Sequence, residues 1–306
     1  MIAYVIRRLL IAVPVVIGVT FLSFMMLHLV PGNPAVIMAG VGASAQDIAR
    51  IERQLGLHRP LLYQYGVFLS HLVHGNLGTS ISTGRPVAQE IAQTLPITVT
   101  LAICSTVLSI LAGFSIGILS AAKQGKFADY SATLITLFGL SMPSFWLGVM
   151  LILVFSVKLQ WLPTAGWNGA LSVILPSVTL GAGAVAVIAR MTRSSLLEAL
   201  SADYVRTARA KGISETWVFL RHALRNALIP SITVIGLEFG ILLGGAVITE
   251  DVFAIPGLGR LILSAINARD YPTVEGAVLV IGLMFVLVNL VTDILYAVID
   301  PRIRYS

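Results

Sequence analysis

Apolar residues run along this chain in long stretches separated by shorter polar pieces. Leu9 to Val30 is 22 residues with no acid or base other than His28, enough helix to cross a hydrocarbon core of about 30 Å. Comparable runs occupy Ile97 to Ala121, Ala132 to Val157, Ile174 to Ala189, Ser231 to Ile248 and Gly276 to Val298. The pattern predicts an all-α membrane protein with six transmembrane helices. A cleaved secretory signal is the alternative for the first run. Its apolar part, however, exceeds the roughly 7–15 residues of a signal core, and Pro31-Gly32-Asn33-Pro34 follows in place of a small-residue cleavage site. Residues 1–30 therefore read as a cytoplasmic N-terminus and a retained first span.

From 31 to 96 the pattern changes. Gly, Pro, Ser and Gln break up amphipathic pieces such as Ala45 to Leu55 and Leu61 to Val73, none long enough to span. This stretch is expected to form an external segment of helices on or near the membrane surface. A transmembrane core is expected over 97–300, followed by a cytoplasmic tail at 301–306.

One polar, strongly basic stretch interrupts the second half, within 190–230. Leu196, Leu200, Tyr204 and Ala208 recur at i+4, and Trp217, Leu220, Leu224 and Leu228 line a second face. Two short helices are predicted, broken at Gly212 in the left-handed conformation, with Ser214 able to cap the second. Held outside a bilayer, this helix, corner and helix make a docking surface for another protein; the alternative is a solvated basic loop that only sets topology.

Composition sharpens the reading. The chain is 57% hydrophobic and 11% charged with a mean hydropathy of +0.92, well beyond a soluble domain. The net charge of +6 and pI near 9.7 are not a nucleic-acid footprint, because the basic residues cluster beside apolar spans without aromatic platforms. They set topology instead. Arg7, Arg8, Lys123, Lys126, the seven between Arg190 and Arg225, Arg302 and Arg304 fall on one side, thirteen against seven on the other. The positive-inside rule places both termini and the basic stretch in the cytoplasm.

Candidate chemistry is sparse. No G-x-x-x-x-G-K-[ST] loop occurs, so nothing cradles a nucleotide phosphate. Hydrolase elbows and zinc-protease helices are likewise missing from the sequence, and no catalytic residue is expected. His58, His71 and His74 lack carboxylate or cysteine partners at ligand spacing, so no metal site is expected; Cys104, in an apolar run, reads as packing. Two carboxylates lie inside spans, Glu238 and Asp293, the latter one turn after Asn289. Charges at membrane depth face a bundle interior or a water-filled path. Glu238, Met142 and Asn289 are therefore candidates for a translocation path, with Asp293 mainly structural. Gly113 and Gly117 make a small-residue face in the second span, and Met142-Pro143 should kink the third.

Taken together, these residues resemble a family. Arg7-Arg8-Leu9-Leu10, Val30 to Pro34, Leu55-Gly56-Leu57, Gly75-Asn76-Leu77-Gly78 and Met142-Pro143 through Trp161-Leu162-Pro163 carry the first half of the likeness. Tyr204 to Gly212 (YVRTARAKG), Phe253 to Arg260 (FAIPGLGR), Arg269-Asp270-Tyr271-Pro272 and Asn289 to Arg304 carry the second. The chain resembles the B-type permease subunits of the dipeptide, oligopeptide and nickel class of bacterial ATP-binding-cassette importers, and Ser214-Glu215-Thr216-Trp217 is similar to the glutathione branch. The resemblance implies the type I importer permease fold in the bacterial inner membrane. It also implies an ATPase-coupling loop of the family's E-A-A, G, I-x-L-P pattern. Here Arg206 stands at the acidic position, Thr207 and Ala208 at the alanines, and Gly212 at the glycine. His222, Leu224 and Arg225 fall on the tail, so only Ala208, Gly212 and Leu224 match. Tyr204, Arg209 and Lys211 complete the expected contact surface.

The partners implied are a homologous second permease subunit, two cytoplasmic ATPase subunits that bind ATP and magnesium, an external solute-binding protein and membrane lipid. No cofactor is implied for this chain. Dipeptides, longer peptides, glutathione, haem and nickel complexes stay open as substrates, and an ion-coupled carrier acting alone is the rival reading.

Overall fold

The computed structural model describes residues 2–29, 34–40, 42–55 and 57–299. Val30 to Asn33, Gly56 and everything from Asp300 on, including the 301–306 tail, lie outside the described residues. Among the described residues, five helices are long and apolar enough to cross a membrane: α1 (Ile2–Leu29), α5 (Val87–Ala122), α8 (Leu171–Ser201), α11 (Leu224–Val252) and α13 (Tyr271–Ile299). A sixth crossing exists if α6 (Phe127–Ser141) and the bent continuation Ser144–Lys158 count as one. Short helices α2 (Pro34–Ala39), α3 (Ala45–Leu55) and α4 (Leu61–Val73) fill the segment between the first two spans, and the last two match the amphipathic pieces read from the sequence.

Prolines account for most boundary differences. The expected second and fifth spans began just after Pro96 and Pro230, at Ile97 and Ser231. Instead α5 and α11 run through both prolines, and α8 runs through Pro176. The segment 31–96 thus ends inside a helix that begins at Val87. Membrane helices accept internal proline because neighbouring groups satisfy the freed carbonyl.

At Met142-Pro143 the reverse holds. Met142 is extended (φ −77°, ψ 129°) and so is Pro143 (φ −60°, ψ 131°), as steric conflict before proline dictates. The result is a bend of 107° between the two halves, a full break rather than a kink. After it, α7 (Ser144–Leu151) passes into a π-helical turn over Ile152–Lys158.

Close backbone approach holds the bundle together, as expected where lipid removes the hydrophobic drive between helices. A Cβ on Gly117 would lie 2.6 Å from the carbonyl oxygen of Ala189 and one on Gly113 would lie 2.8 Å from Ile188 Cγ2, so the expected small-residue face seats α8 on α5. Gly240 admits Phe285 and Gly282 admits Val19, seating α11 and α1 on α13.

The two ends of the bundle are distinct. At one, Arg8 pairs with Asp293 at 2.7 Å, and Ala121 packs with Leu196, Ala199 and Val205. At the other, Val87 and Ile91 pack with Leu258, Ile262 and Ala277, and the Gly166 N–H donates to Phe253 O at 2.8 Å. The start of α1, the end of α13 and the basic stretch therefore share one end.

Candidate functional site

The basic stretch folds into a compact corner. α8 ends at Ser201, Ala202 is extended (φ −71°, ψ 151°), and α9 (Asp203–Ala210) follows. Gly212 then turns at φ +78°. Its N–H donates to Arg209 O at 2.9 Å and the Ile213 N–H to Ala208 O at 3.3 Å, the paired bonds of a Schellman termination. A short helix α10 (Glu215–Trp217) and a π-helical turn over Val218–Ala223 lead into α11.

Beneath the corner, Val205, Ala208, Val218, Ala223 and Ala227 are buried against Ala121, Leu196 and Ala199. Across the corner Arg209 forks onto Glu215, with Nε to Oε1 at 2.8 Å and Nη2 to Oε2 at 3.3 Å. Facing outward are Tyr204, Arg206, Thr207, Arg209 and Lys211 of the expected contact residues, with Trp217 and Leu220 beside them. Exposed Tyr, Trp and Arg on a rigid support are the residue types that anchor protein interfaces. A cavity of about 260 Å³ between α8, α9 and α11, lined by Glu198, Tyr204, Asn226 and Pro230 among others, adjoins the surface.

Several details differ from expectation. The stretch 190–230 is not one loop, since Arg190 and Arg193 lie within α8 and Leu224 onward within α11. Leu196 and Ala208 share a cluster but stand on separate helices divided at Ala202. Tyr204, placed by its spacing on the apolar stripe and by the resemblance on the contact surface, takes the second position and points outward, 41% exposed. Ser214 stands at the start of α10 yet its hydroxyl makes no capping bond; its carbonyl accepts the Val218 N–H at 2.9 Å. Nor do Trp217 and Leu220 face the core, because the π turn adds a residue and rotates Val218 and Ala223 inward. His222 and Leu224 are half-buried, and Leu224 packs against the cluster.

The path candidates separate. Met142 and Glu238 line one cavity of about 330 Å³ with Gly139, Ser144, Thr179 and Gly183, at the break between α6 and α7. Asn289 lies elsewhere, in a groove with Arg8 and Asp293, its amide donating to Phe285 O at 2.9 Å. Asn289 thus stands apart from the other two candidates, and Asp293 is paired with Arg8 at 2.7 Å. The three histidines do not converge. His58 faces Glu52 at 3.7 Å, His74 bonds Ser70 O, and His71 lines a separate cavity beside α4.

Two polar knots at the opposite end explain motifs that the sequence left without a role. Fully buried Glu250 accepts Thr98 Oγ1 at 2.6 Å and the Arg260 N–H at 3.1 Å. Gly257 and Gly259 of FAIPGLGR pass close to that carboxylate: a Cβ on Gly257 would strike it, and one on Gly259 would lie 3.0 Å from it and strike Val247 Cα. Asp270 of RDYP accepts from Ser80 and Ser82 hydroxyls, the Ile81 N–H at 3.1 Å and Thr273 Oγ1 at 2.9 Å. Burial alone would raise the Asp270 carboxyl, but these donors outweigh it and hold the group below its ordinary value. A knot uniting residues 80 and 270, or 98 and 250, has no local signature in one sequence.

Comparisons with known proteins cover the whole chain. Residues 113–305 match the family described as "Binding-protein-dependent transport system inner membrane component", and residues 1–102 match its N-terminal counterpart. The glutathione transport system permease proteins GsiC of Escherichia coli K12 and Salmonella typhimurium LT2 are each 48% identical over 306 residues, covering 100% of both chains. Among solved structures, an inward-facing methionine transporter, MetNI, aligns with TM-score 0.58 at 21% identity, covering 69% of this chain and 96% of that one. An amino acid ATP-binding-cassette transporter aligns with TM-score 0.54 at 16% identity, covering 70% and 94%. These two share the fold.

Proposed function

We infer the working of this chain from the family to which it belongs, the binding-protein-dependent transport system inner membrane components: it is a permease subunit of an ATP-binding-cassette importer of the bacterial inner membrane. On that premise it carries no ATP site of its own and works with a related permease subunit, two ATPase subunits and an external solute-binding protein. The cargo is a peptide, with glutathione the first candidate because the relatives that match end to end bear that name. Membership of an ATP-driven family displaces the ion-coupled carrier.

The end bearing α9 faces the cytoplasm, in keeping with its excess of Lys and Arg, and both termini lie there. The ATPases grip the corner around Gly212. ATP binding draws them together, α9 moves with them, and the bundle exchanges inward-open for outward-open so that the binding protein releases its cargo. The ATPases favour one state only by binding it better. The observation that carries this reading is the α9 corner, buried beneath and outward-facing in Tyr204, Arg206, Thr207 and Lys211. Glu238, in the cavity at the α6 break, is placed to attract a substrate ammonium group.

A cysteine replacing Thr207, in a Cys104→Ser background, tests the contact. In the complete importer it should form a crosslink with an ATPase subunit through a short thiol reagent, and ATP should change its yield. A crosslink that never forms while Ser82→Cys, at the opposite end, behaves identically would refute the docking role.

A further inference from the structure

We propose that the Asp129–Arg193 pair is the joint through which movement of α8 reaches α6 and the cavity at the α6 break, making both residues positioning residues for transport. The inference rests on the reading of α9 as the ATPase contact.

Asp129 stands in the first turn of α6 and is 4% exposed. Arg193 of α8 reaches it as a fork, Nε to Oδ1 at 2.8 Å and Nη2 to Oδ2 at 2.9 Å. The same carboxylate accepts Ser120 Oγ of α5 and the Gly125 N–H at 3.0 Å from the connecting turn. Three helices therefore meet on one buried carboxylate whose oxygens are fully used. A bidentate charged fork fixes direction as well as distance, and removing either partner leaves the other without its mate.

The placement gives the fork a mechanical meaning. Arg193 lies two turns above Ser201, where α8 ends and the extended Ala202 hands the chain to α9. Further along α6, Gly139 also approaches α8 closely, where a Cβ would lie 3.3 Å from Ala182 O. Between these fastenings, Thr133, Thr136 and Leu137 line a cavity of about 190 Å³ facing Ala189 and Arg190. α6 is thus fastened to α8 by charge at the α9 end and by close packing near Met142. Met142 and Gly139 in turn line the cavity that holds Glu238. A displacement of the α9 end of α8 has a polar, directional attachment to α6 only through Arg193 among the described residues. Were the fork lost, α8 could shift against α6 into the adjoining void and leave the Met142 end behind.

The test uses the complete importer in nanodiscs, built on Cys104→Ser, with an environment-sensitive thiol dye on Leu134→Cys of α6 or on Ser214→Cys beside α9. Both native side chains are exposed. The reading is the spectral change on trapping with ATP and vanadate, expressed as the ratio of the α6 response to the α9 response. Asp129→Asn should lower that ratio about 5-fold or more, the scale of a typical coupling free energy, while the α9 response persists. Arg193→Lys, which keeps the charge and loses the fork, should give an intermediate ratio and guards against a folding failure of the first variant. A purely structural pair would lower yield and melting temperature with the ratio unchanged, and that result overturns the joint. No response at α9 in the parent would overturn the coupling reading and the joint with it; a normal α9 response with an undiminished α6 response in Asp129→Asn overturns the joint alone.

Discussion

Replacing Gly212 separates conformation from crowding. At φ +78° the position has no heavy atom within 4 Å of where a Cβ would stand, so alanine meets no clash and its cost is backbone strain alone. An L-residue in the left-handed region loses about 1–2 kcal/mol, partly offset by about 0.4–1 kcal/mol from a stiffer unfolded chain. Gly212→Ala should therefore weaken the corner by about 1 kcal/mol, near fivefold in the population of the cornered form. Asparagine tolerates the left-handed region and should cost less. Proline fixes φ near −65° and deletes the N–H bonded to Arg209 O at 2.9 Å, about 3 kcal/mol or more. The assay is ATP hydrolysis by the reconstituted importer with and without loaded binding protein. Stimulation should fall in the order Gly, Asn, Ala, Pro, while the permease still reaches the membrane and assembles. Equal stimulation across assembled variants would refute the reasoning that the corner's shape carries the coupling.

Gly117→Val should lower the melting temperature of the detergent-solubilised protein, since the new Cβ lies 2.6 Å from a backbone oxygen that cannot yield and overpacking costs about 1–3 kcal/mol. Gly183→Ala, with nothing within 4 Å, should leave it unchanged. Glu238→Gln should weaken uptake of peptides with a free ammonium group by roughly fivefold, a charge attraction of about 1 kcal/mol, and spare N-acetylated ones; equal loss for both would remove Glu238 from the path. For Asp270 the folded group titrates below its ordinary value. Its stabilisation is therefore full above the unfolded carboxyl value of about 3.9 and disappears as pH falls through the lower folded value. Limited proteolysis of wild type against Asp270→Asn should show a gap at pH 6 that closes on acidification below about pH 4, and a gap that widens there would contradict the assignment.

What could be read from sequence was what depends on neighbours along the chain. The long apolar runs, the helices at 45–55 and 61–73 and the small-residue face at Gly113 and Gly117 all report local pattern. So does the left-handed corner at Gly212, where a helix needs a residue without a Cβ. Proline was legible at Met142-Pro143, where the span bends, but not at Pro96 and Pro230, because whether a helix stops or continues depends on who satisfies the freed carbonyl. Ala202 breaks α8 from α9 without any breaker residue, and the π turn at 218–223 rotates a face that a 3.6 period places elsewhere. Arg193 is the plainest case. Counted among the basic residues that set topology, it is instead committed to Asp129, 64 positions earlier. Met142 and Glu238 were separately legible and meet in one cavity, whereas Asn289 shared the same chemical rationale and stands in another groove.

The most direct measurement is glutathione uptake into proteoliposomes holding this chain and its partner permease, with binding protein present and the ATPase subunits either included or omitted. Uptake should require both the ATPases and ATP and vanish without either. Sustained uptake by the permease pair in the absence of the ATPases would contradict the account at its centre.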